Sequence, residues 1–242
     1  MKLNADVGEG VGDDEALCRW IGMANVACGY HAGDLQVMTR TVDLAVTYGV
    51  VVGAHPGYRD REAFGRRSIA HLPGEIESLV VDQVEALSLV CQELGTRVEY
   101  IKPHGALYHD MMDRIDVFEE ILQAACNFSD SVPVMIMARG DNEKHQLMGK
   151  KYGVSLLFEA FADRAYTDDG GLMDRALDGA LYSSPDQMVE QAIQIATQGT
   201  VTSAEGKTLA LNADTICVHG DNPASIAAAK QIYIALKAQR EE

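Results

Sequence analysis

Short apolar runs rich in β-branched residues alternate along this chain with longer segments of helical period. That alternation restricts the fold more than any other feature. The runs fall at residues 2–6, 24–28, 50–54, 98–102, 132–137, 154–159 and 215–218. The clearest helix between them covers 75–94, where Ile76, Leu79, Val80, Val84, Leu87, Val90 and Leu94 share one face. Pro73 precedes that segment and Gly95 follows it. Residues 186–197 and 224–238 also read as helices, each after a proline near its first turn. A hairpin is expected over 200–211, turning at Glu205-Gly206. Strand–helix repetition implies a parallel sheet with right-handed crossovers. Seven such strands suit a closed or nearly closed α/β barrel, with an open doubly wound sheet as the alternative. No low-complexity stretch or linker divides the chain, so residues 1–242 are expected to form one domain.

Charge and hydropathy exclude several classes of function. The net charge of −16 leaves no basic face for nucleic acid. Acidity is spread along the chain and reads as a solvated surface. No run of about 18 uncharged apolar residues is present, so nothing is expected to span a membrane. Met1-Lys2-Leu3-Asn4-Ala5-Asp6 turns polar at once, without a signal-peptide apolar region, and a cytoplasmic location is expected. The five cysteines form no CxxC pair, which argues against a disulfide framework or a thiolate zinc site. Cys28 alone sits in a polar, glycine-rich stretch, where His31 would be its base if it were a nucleophile.

The residues following each strand carry the chemistry. The first strand leads into Asp6-Val7-Gly8-Glu9-Gly10, and the second into Gly29-Tyr30-His31-Ala32-Gly33-Asp34. The third leads into His55-Pro56-Gly57-Tyr58-Arg59-Asp60, and the fourth into Lys102-Pro103-His104-Gly105. The sixth ends in Glu159-Ala160-Phe161-Ala162-Asp163-Arg164, and the seventh in His219-Gly220-Asp221-Asn222-Pro223. In α/β barrels the C-terminal strand ends converge on one mouth, where active sites are built. His31, His55, His104 and His219 all occupy such positions, whereas His71, His109 and His145 fall in helices or loops.

Each feature has a plainer reading. A strand-end histidine can be a hydrogen-bonded structural group, Asp163-Arg164 an ion pair, and Lys102 a snorkelling side chain. Their joint placement at one predicted edge favours an active site. Histidine shuttles protons near neutral pH, and a carboxylate such as Asp6 or Glu159 can orient it. Lys102 and Arg164 suit a carboxylate or a developing phosphate charge. No GxSxG elbow, HExxH or GxGxxG is present, and Gly206-Lys207-Thr208 lacks the upstream glycine of a phosphate loop.

These blocks resemble the signature strings of the LamB/YcsF (lactam-utilisation) family. Those strings include Leu3-Asn4-Ala5-Asp6-Val7-Gly8-Glu9, Ala24-Asn25-Val26-Ala27-Cys28-Gly29-Tyr30-His31-Ala32-Gly33-Asp34 and Gly53-Ala54-His55-Pro56-Gly57-Tyr58. Phe64-Gly65-Arg66-Arg67, Lys102-Pro103-His104-Gly105-Ala106-Leu107-Tyr108, Glu159-Ala160-Phe161-Ala162-Asp163-Arg164-Ala165-Tyr166 and Cys217-Val218-His219-Gly220-Asp221 follow in family order. Departures are limited to Tyr30, Leu35 and Asn222, and none removes a group able to do acid–base chemistry.

The resemblance implies a seven-stranded TIM-like barrel related to polysaccharide deacetylase and glycoside hydrolase barrels. It also implies the A subunit of a 5-oxoprolinase, a hydrolase opening the cyclic amide of 5-oxo-L-proline to L-glutamate. ATP with Mg2+ would be the co-substrate of the complex, and subunits B and C its partners. Within the strand-end blocks, the expected catalytic residues are Asp6, His31, His55, Lys102, His104 and Glu159. The expected substrate-binding residues are Glu9, Asn25, Asp34, Asp163, Arg164, His219 and Asp221. A bound divalent metal, if one is used, would fall to Asp6, His31 and His55. Two alternatives stand beside this: a metal-dependent deacetylase or amidohydrolase acting alone, and a non-catalytic binding subunit.

Overall fold

The structure, a computed structural model, describes residues 1–128, 132–140, 142–220 and 223–238. Seven parallel strands close into a barrel in the order β1 (Lys2–Val7), β2 (Met23–Ala27), β3 (Val51–His55), β4 (Tyr100–Ile101), β5 (Val134–Met137), β6 (Leu156–Phe161) and β9 (Thr215–Cys217). The ring is completed by β9 pairing with β1, Lys2 opposite Thr215. The open doubly wound alternative is thereby excluded. Helices surround the ring: α1 (Asp14–Cys18), α2 (Leu35–Tyr48), α3 (Glu75–Glu93), α4 (Gly105–Asp113), α5 (Ile115–Asn127), α6 (Glu143–Tyr152), α7 (Pro185–Gln198) and α8 (Pro223–Ala238). A small antiparallel hairpin, β7 (Thr200–Thr202) and β8 (Thr208–Ala210), precedes β9 and realises the expected turn around Gly206.

The strand boundaries differ from the sequence reading in an orderly way. The fourth strand shrinks to two residues, and the sixth begins at Leu156 and runs to Phe161 instead of covering 154–159. The third extends to His55, so that histidine is the last residue of a strand and is held by ladder pairing with Ala27. Every residue of β2 and β5 is buried, as expected of strands covered on one face by helices and on the other by the barrel interior.

Period-two alternation sorts the strand residues into two cores. Outward residues such as Ala5, Val26, Val52, Ile101, Ile136 and Ile216 pack with the helices in one large cluster. Inward residues form layers inside the ring. Met23, Tyr100 and Met135 pack together there, joined by Val51 and Leu157. Tyr100 fits only because Gly53 lies opposite it in register; a Cβ at Gly53 would run into the phenol ring. One residue pair further along come Asn4, Asn25 and Glu159, all buried, with Lys102 just past the end of β4. This polar layer forms the floor of the site.

Among the helices, α3 buries Ile76, Val80, Val84, Leu87 and Val90, five of the seven residues on its expected apolar face. Its other two, Leu79 and Leu94, pack partly buried against the same core. No helix among the described residues is long and apolar enough to cross a membrane.

Candidate active site

The C-terminal ends of β1, β3, β4, β6 and β9 bring most of the expected groups to one mouth. Asp6 stands near the end of β1, with Glu9 on the following loop. His31 follows β2, His55 ends β3, and Lys102 and His104 lie between β4 and α4. Glu159 projects from β6, Asp163 and Arg164 follow it, and His219 follows β9.

Lys102 is the centre of the floor. Its Nζ lies 2.8 Å from Asp6 Oδ1 and 2.8 Å from Glu159 Oε1, with side-chain exposure of only 4%. It also donates to Asn4 Oδ1 at 3.4 Å and approaches Cys217 Sγ at the same distance. Burial opposes the ammonium charge, yet Asp6, Cys217 and Glu159 hold its pKa well above the ordinary lysine value. Asp6 is held well below the usual carboxylate range: burial works against its charge, but His55 and Lys102 outweigh it. Asn25 ties the floor together, donating to Asp6 Oδ1 at 2.7 Å and Asn4 Oδ1 at 2.8 Å. Tyr100 in turn donates to Asn25 Oδ1, and Tyr108 from α4 donates to Glu159 Oε2 at 2.9 Å. A buried charge needs such pairing, because an isolated ion in the interior would neutralise or unfold the site.

Beside this floor three histidines and Glu9 converge. The rings of His31 and His104 stack at 3.8 Å, and His55 meets both edge-on. His104 Nδ1 lies 3.0 Å from His55 Nε2 and 3.1 Å from Glu9 Oε1, while His31 Nε2 lies 3.3 Å from the same oxygen. The outer nitrogens face the main chain: His55 Nδ1 sits 2.7 Å from the Lys102 carbonyl, and His104 Nε2 2.9 Å from that of Phe64. Phe64 adopts a left-handed backbone (φ 55), which turns its carbonyl toward His104. Burial pulls the pKa of His31 down to about 4 and lowers that of His104 as well. Room for the stack comes from missing side chains. A Cβ on Gly65 (φ +64) would come 2.8 Å from His31 Cβ and 3.0 Å from His104 Cδ2; one on Gly57 would come 2.7 Å from His31 Nδ1.

Above lies a cavity of about 630 Å³. Asp6, Glu9, His55, Lys102, His104 and His219 line it, together with Arg66, Arg164 and Arg175. His219 is oriented by Asp163, whose Oδ2 lies 2.7 Å from Nδ1 and accepts from the His219 backbone N–H at 2.9 Å. Its Nε2 faces Asp6 Oδ2 at 3.7 Å and Arg175 Nη2 at 3.4 Å. Burial opposes protonation of His219, but Asp163 and Asp6 raise its pKa above the ordinary value. Arg164 donates to the Met173 carbonyl at 2.7 Å, and burial together with Arg175 brings its pKa down to about 10.

Several expected residues therefore take distinct places. Asp6, Glu9, His55, Lys102, His104, Arg164 and His219 meet at the cavity. Asn25 and Glu159 lie beneath it as supports of Asp6, Lys102 and Tyr108; Asp163 supports His219. His31 stands behind the cavity wall within the histidine cluster. Asp34 is exposed and caps α2, accepting from the Val37 N–H at 2.9 Å, so its side chain is spent on helix initiation. Asp221 lies outside the described residues. The donor cluster holds Glu9 and His104 with His31 and His55. Asp6 borders that cluster, with Oδ1 taken by Lys102 and Asn25 and Oδ2 3.4 Å from His55.

Cys28 is no nucleophile: its buried thiol faces the Val26 carbonyl, and burial pushes its pKa up to about 12. Lys102 does not snorkel, and Asp163 pairs with His219 instead of Arg164. Sequence reasoning passed over Arg175 and His109, which also line the cavity, and gave Arg66 and Tyr108 no role. Arg66 and Arg175 come from long irregular segments after β3 and β6, where no periodicity marks them. His109 lies one residue beyond Tyr108 within α4, which only the packing of that helix over the mouth reveals.

Comparison with known proteins agrees with this architecture. The 5-oxoprolinase A subunit of Vibrio vulnificus is 49% identical over 241 residues, covering 98% of this chain and 97% of its own. The second 5-oxoprolinase A subunit of Pseudomonas putida is 48% identical, covering 98% and 93%. The crystal structure of the lactam utilization protein from Thermus thermophilus superposes with a TM-score of 0.91 at 32% identity, over 99% of this chain and 97% of that one. A GH30 endoxylanase from Clostridium papyrosolvens, 8% identical with a TM-score of 0.52 over 96% of this chain and 70% of its own, shares the barrel fold alone. The LamB/YcsF family matches residues 1–242, and together with the barrel and its mouth this places the chain in the LamB/YcsF family.

Proposed function

We propose that this chain is the lactam-opening component of an ATP-dependent 5-oxoprolinase, working with companion subunits B and C to convert 5-oxo-L-proline into L-glutamate. The observation that carries this reading is one cavity lined by two kinds of group. Asp6, His55, His104 and His219 bring acid–base groups to it; Arg66, Arg164 and Arg175 bring positive charge. The relatives named as 5-oxoprolinase A subunits support it. Arginines suit the two anionic groups of an activated lactam, its carboxylate and a phosphate.

A five-membered lactam has a resonance-stabilised carbonyl and a poor amine leaving group. Transfer of the ATP γ-phosphoryl to the carbonyl oxygen gives an O-phosphorylated imidate and ADP. Water then adds to the ring carbon, and the C–N bond breaks as the nitrogen takes up protons. The resulting acyl phosphate loses phosphate to a second water, leaving glutamate. In this chain Asp6 Oδ2, the oxygen not engaged by Lys102 or Asn25, is placed to accept a hydrogen bond from the attacking water. His219, held by Asp163 and with its pKa raised, is placed to hand a proton from Nε2 to the departing nitrogen.

The test is glutamate release from 5-oxo-L-proline with Mg-ATP, using this protein alone and then with subunits B and C. Glutamate should appear only in the complete, ATP-supplied mixture. His219→Asn should lower kcat by roughly 10²–10⁴-fold, the usual contribution of a positioned acid or base. No glutamate from folded, assembled partners would end the lactam reading. The histidine cluster favours a second reading, an amidohydrolase that acts without ATP. Turnover in the absence of nucleotide would select it.

A further inference from the structure

Four lone-pair donors at the barrel mouth point at one another. Glu9 Oε1, His31 Nε2, His55 Nε2 and His104 Nδ1 all lie within 4.8 Å of each other. Four of the separations are 3.0, 3.1, 3.3 and 3.8 Å. A tetrahedral ion with donors 2.0–2.1 Å away would set them about 3.4 Å apart, so these spacings surround a point at bonding distance.

The protons on the rings are accounted for elsewhere. A backbone carbonyl can only accept, so His55 Nδ1 must donate to Lys102 O and His104 Nε2 to Phe64 O. In the neutral rings His55 Nε2 and His104 Nδ1 then carry lone pairs, yet they face each other at 3.0 Å. Glu9 Oε1 adds a third acceptor and, though buried, receives no hydrogen bond among the described residues. Neither ring nitrogen of His31, which is 1% exposed, makes a hydrogen bond either. Outer N–H groups anchored on carbonyls, with bare nitrogens facing inward, are the usual support of metal-binding imidazoles.

We propose that Glu9, His31, His55 and His104 form a binding site for one divalent cation of the zinc class. Three imidazoles and one carboxylate suit Zn2+, Co2+ or Ni2+; Mg2+ and Ca2+ prefer an all-oxygen shell. Gly57 and Gly65 are the floor that lets His31 reach the site, since a side chain at either would displace it. Glu9, His55 and His104 also line the cavity, which puts the cation at the substrate's wall and not in a sealed structural pocket. The site is a property of this chain alone and stands independently of the lactam reading.

The experiment strips the purified full-length protein with a chelator, returns Zn2+ or Co2+ after the chelator is removed, and counts metal by elemental analysis. Circular dichroism monitors the fold throughout. One ion per chain is expected, with the intense visible absorption of four-coordinate Co2+ and a melting temperature that rises with free metal. Glu9→Gln and His104→Ala should each weaken binding by more than roughly 100-fold, beyond the 10–100-fold that outer partners contribute. His71→Ala, outside the cluster, should bind as the parent does. A folded parent that takes up no metal would overturn the proposal and leave a shared proton between the rings. Full uptake by both cluster variants, or loss in His71→Ala, would overturn it equally by showing that the ion binds elsewhere.

Discussion

Under one mouth lie two buried polar groups that share Asp6 as a border, and they are completed to different degrees. Around Lys102 each charge has its opposite 2.8 Å away, and Asn25, Tyr100 and Tyr108 brace the carboxylates and their neighbours. Around Glu9 the donors repel one another, and buried nitrogens and an oxygen go unsatisfied. The first arrangement pairs its charges within the protein. The second is complete only with something added. A satisfied polar network stabilises a fold, whereas an unsatisfied one is tolerated where a ligand supplies the missing interactions.

The sharpest way to break this distinction is to remove Lys102. Lys102→Met strands two buried carboxylates, and about 3–5 kcal/mol of unfolding free energy should be lost in urea titrations. A folded, metal-free Glu9→Gln should change stability far less; an equal loss would erase the difference between the two groups. Next comes Gly65→Ala, which forces a side chain into a left-handed turn and against both stacked rings. It should cost about 2–3 kcal/mol in thermal or chemical melts, and a neutral result would show that the histidine stack has slack. Tyr108→Phe removes a single donor to Glu159 Oε2. Its expected cost is about 1.5 kcal/mol by the same measurement, because a charged acceptor loses a hydrogen bond.

The smallest effect is a pH dependence set by His219 and Asp163. His219 has its pKa raised in the fold, Asp163 and Asp6 outweighing burial, so it contributes stability that is full below the ordinary histidine value. That contribution fades as pH rises through the folded value. Asp163 has its pKa lowered, His219 outweighing burial, so its contribution is present above the ordinary carboxylate value and fades as pH falls through the folded one. The pair therefore stabilises most between the two ordinary values. His219→Asn should flatten both limbs of a plot of urea midpoint against pH; unchanged limbs would detach the pair from stability.

How far the sequence exposes this arrangement depends on the kind of signal. Strand–helix alternation and the blocks after each strand locate the barrel and its mouth, because both are local patterns. Asn25 and Glu159 are polar residues of the same kind of block as Asp6, yet both are fully buried, bonded to Asp6 and Lys102 instead of facing the cavity. Asp34 matched a family block, but its position just before Leu35 makes it a helix cap, which its neighbours in sequence already suggest. Arg175 reaches the cavity from an irregular segment, where neither period nor motif marks a residue. The pairing of Glu9 with three histidines is likewise a product of strand pairing, since the four sit at or just past the ends of β1, β2, β3 and β4, neighbours in the barrel but far apart in sequence.

The left-handed turn at Phe64 has a consequence for how such a site is dissected. It fixes which nitrogen of His104 keeps its proton, and the Lys102 carbonyl does the same for His55. Both decisions are made by main-chain oxygens. Replacing Phe64 or Lys102 changes what their side chains do but leaves the oxygens in place, so an alanine scan of the mouth would be blind to the atoms that assign its tautomers. Moving the backbone by substituting Gly65, whose left-handed turn a side chain would strain, is the route by which mutation can reach them.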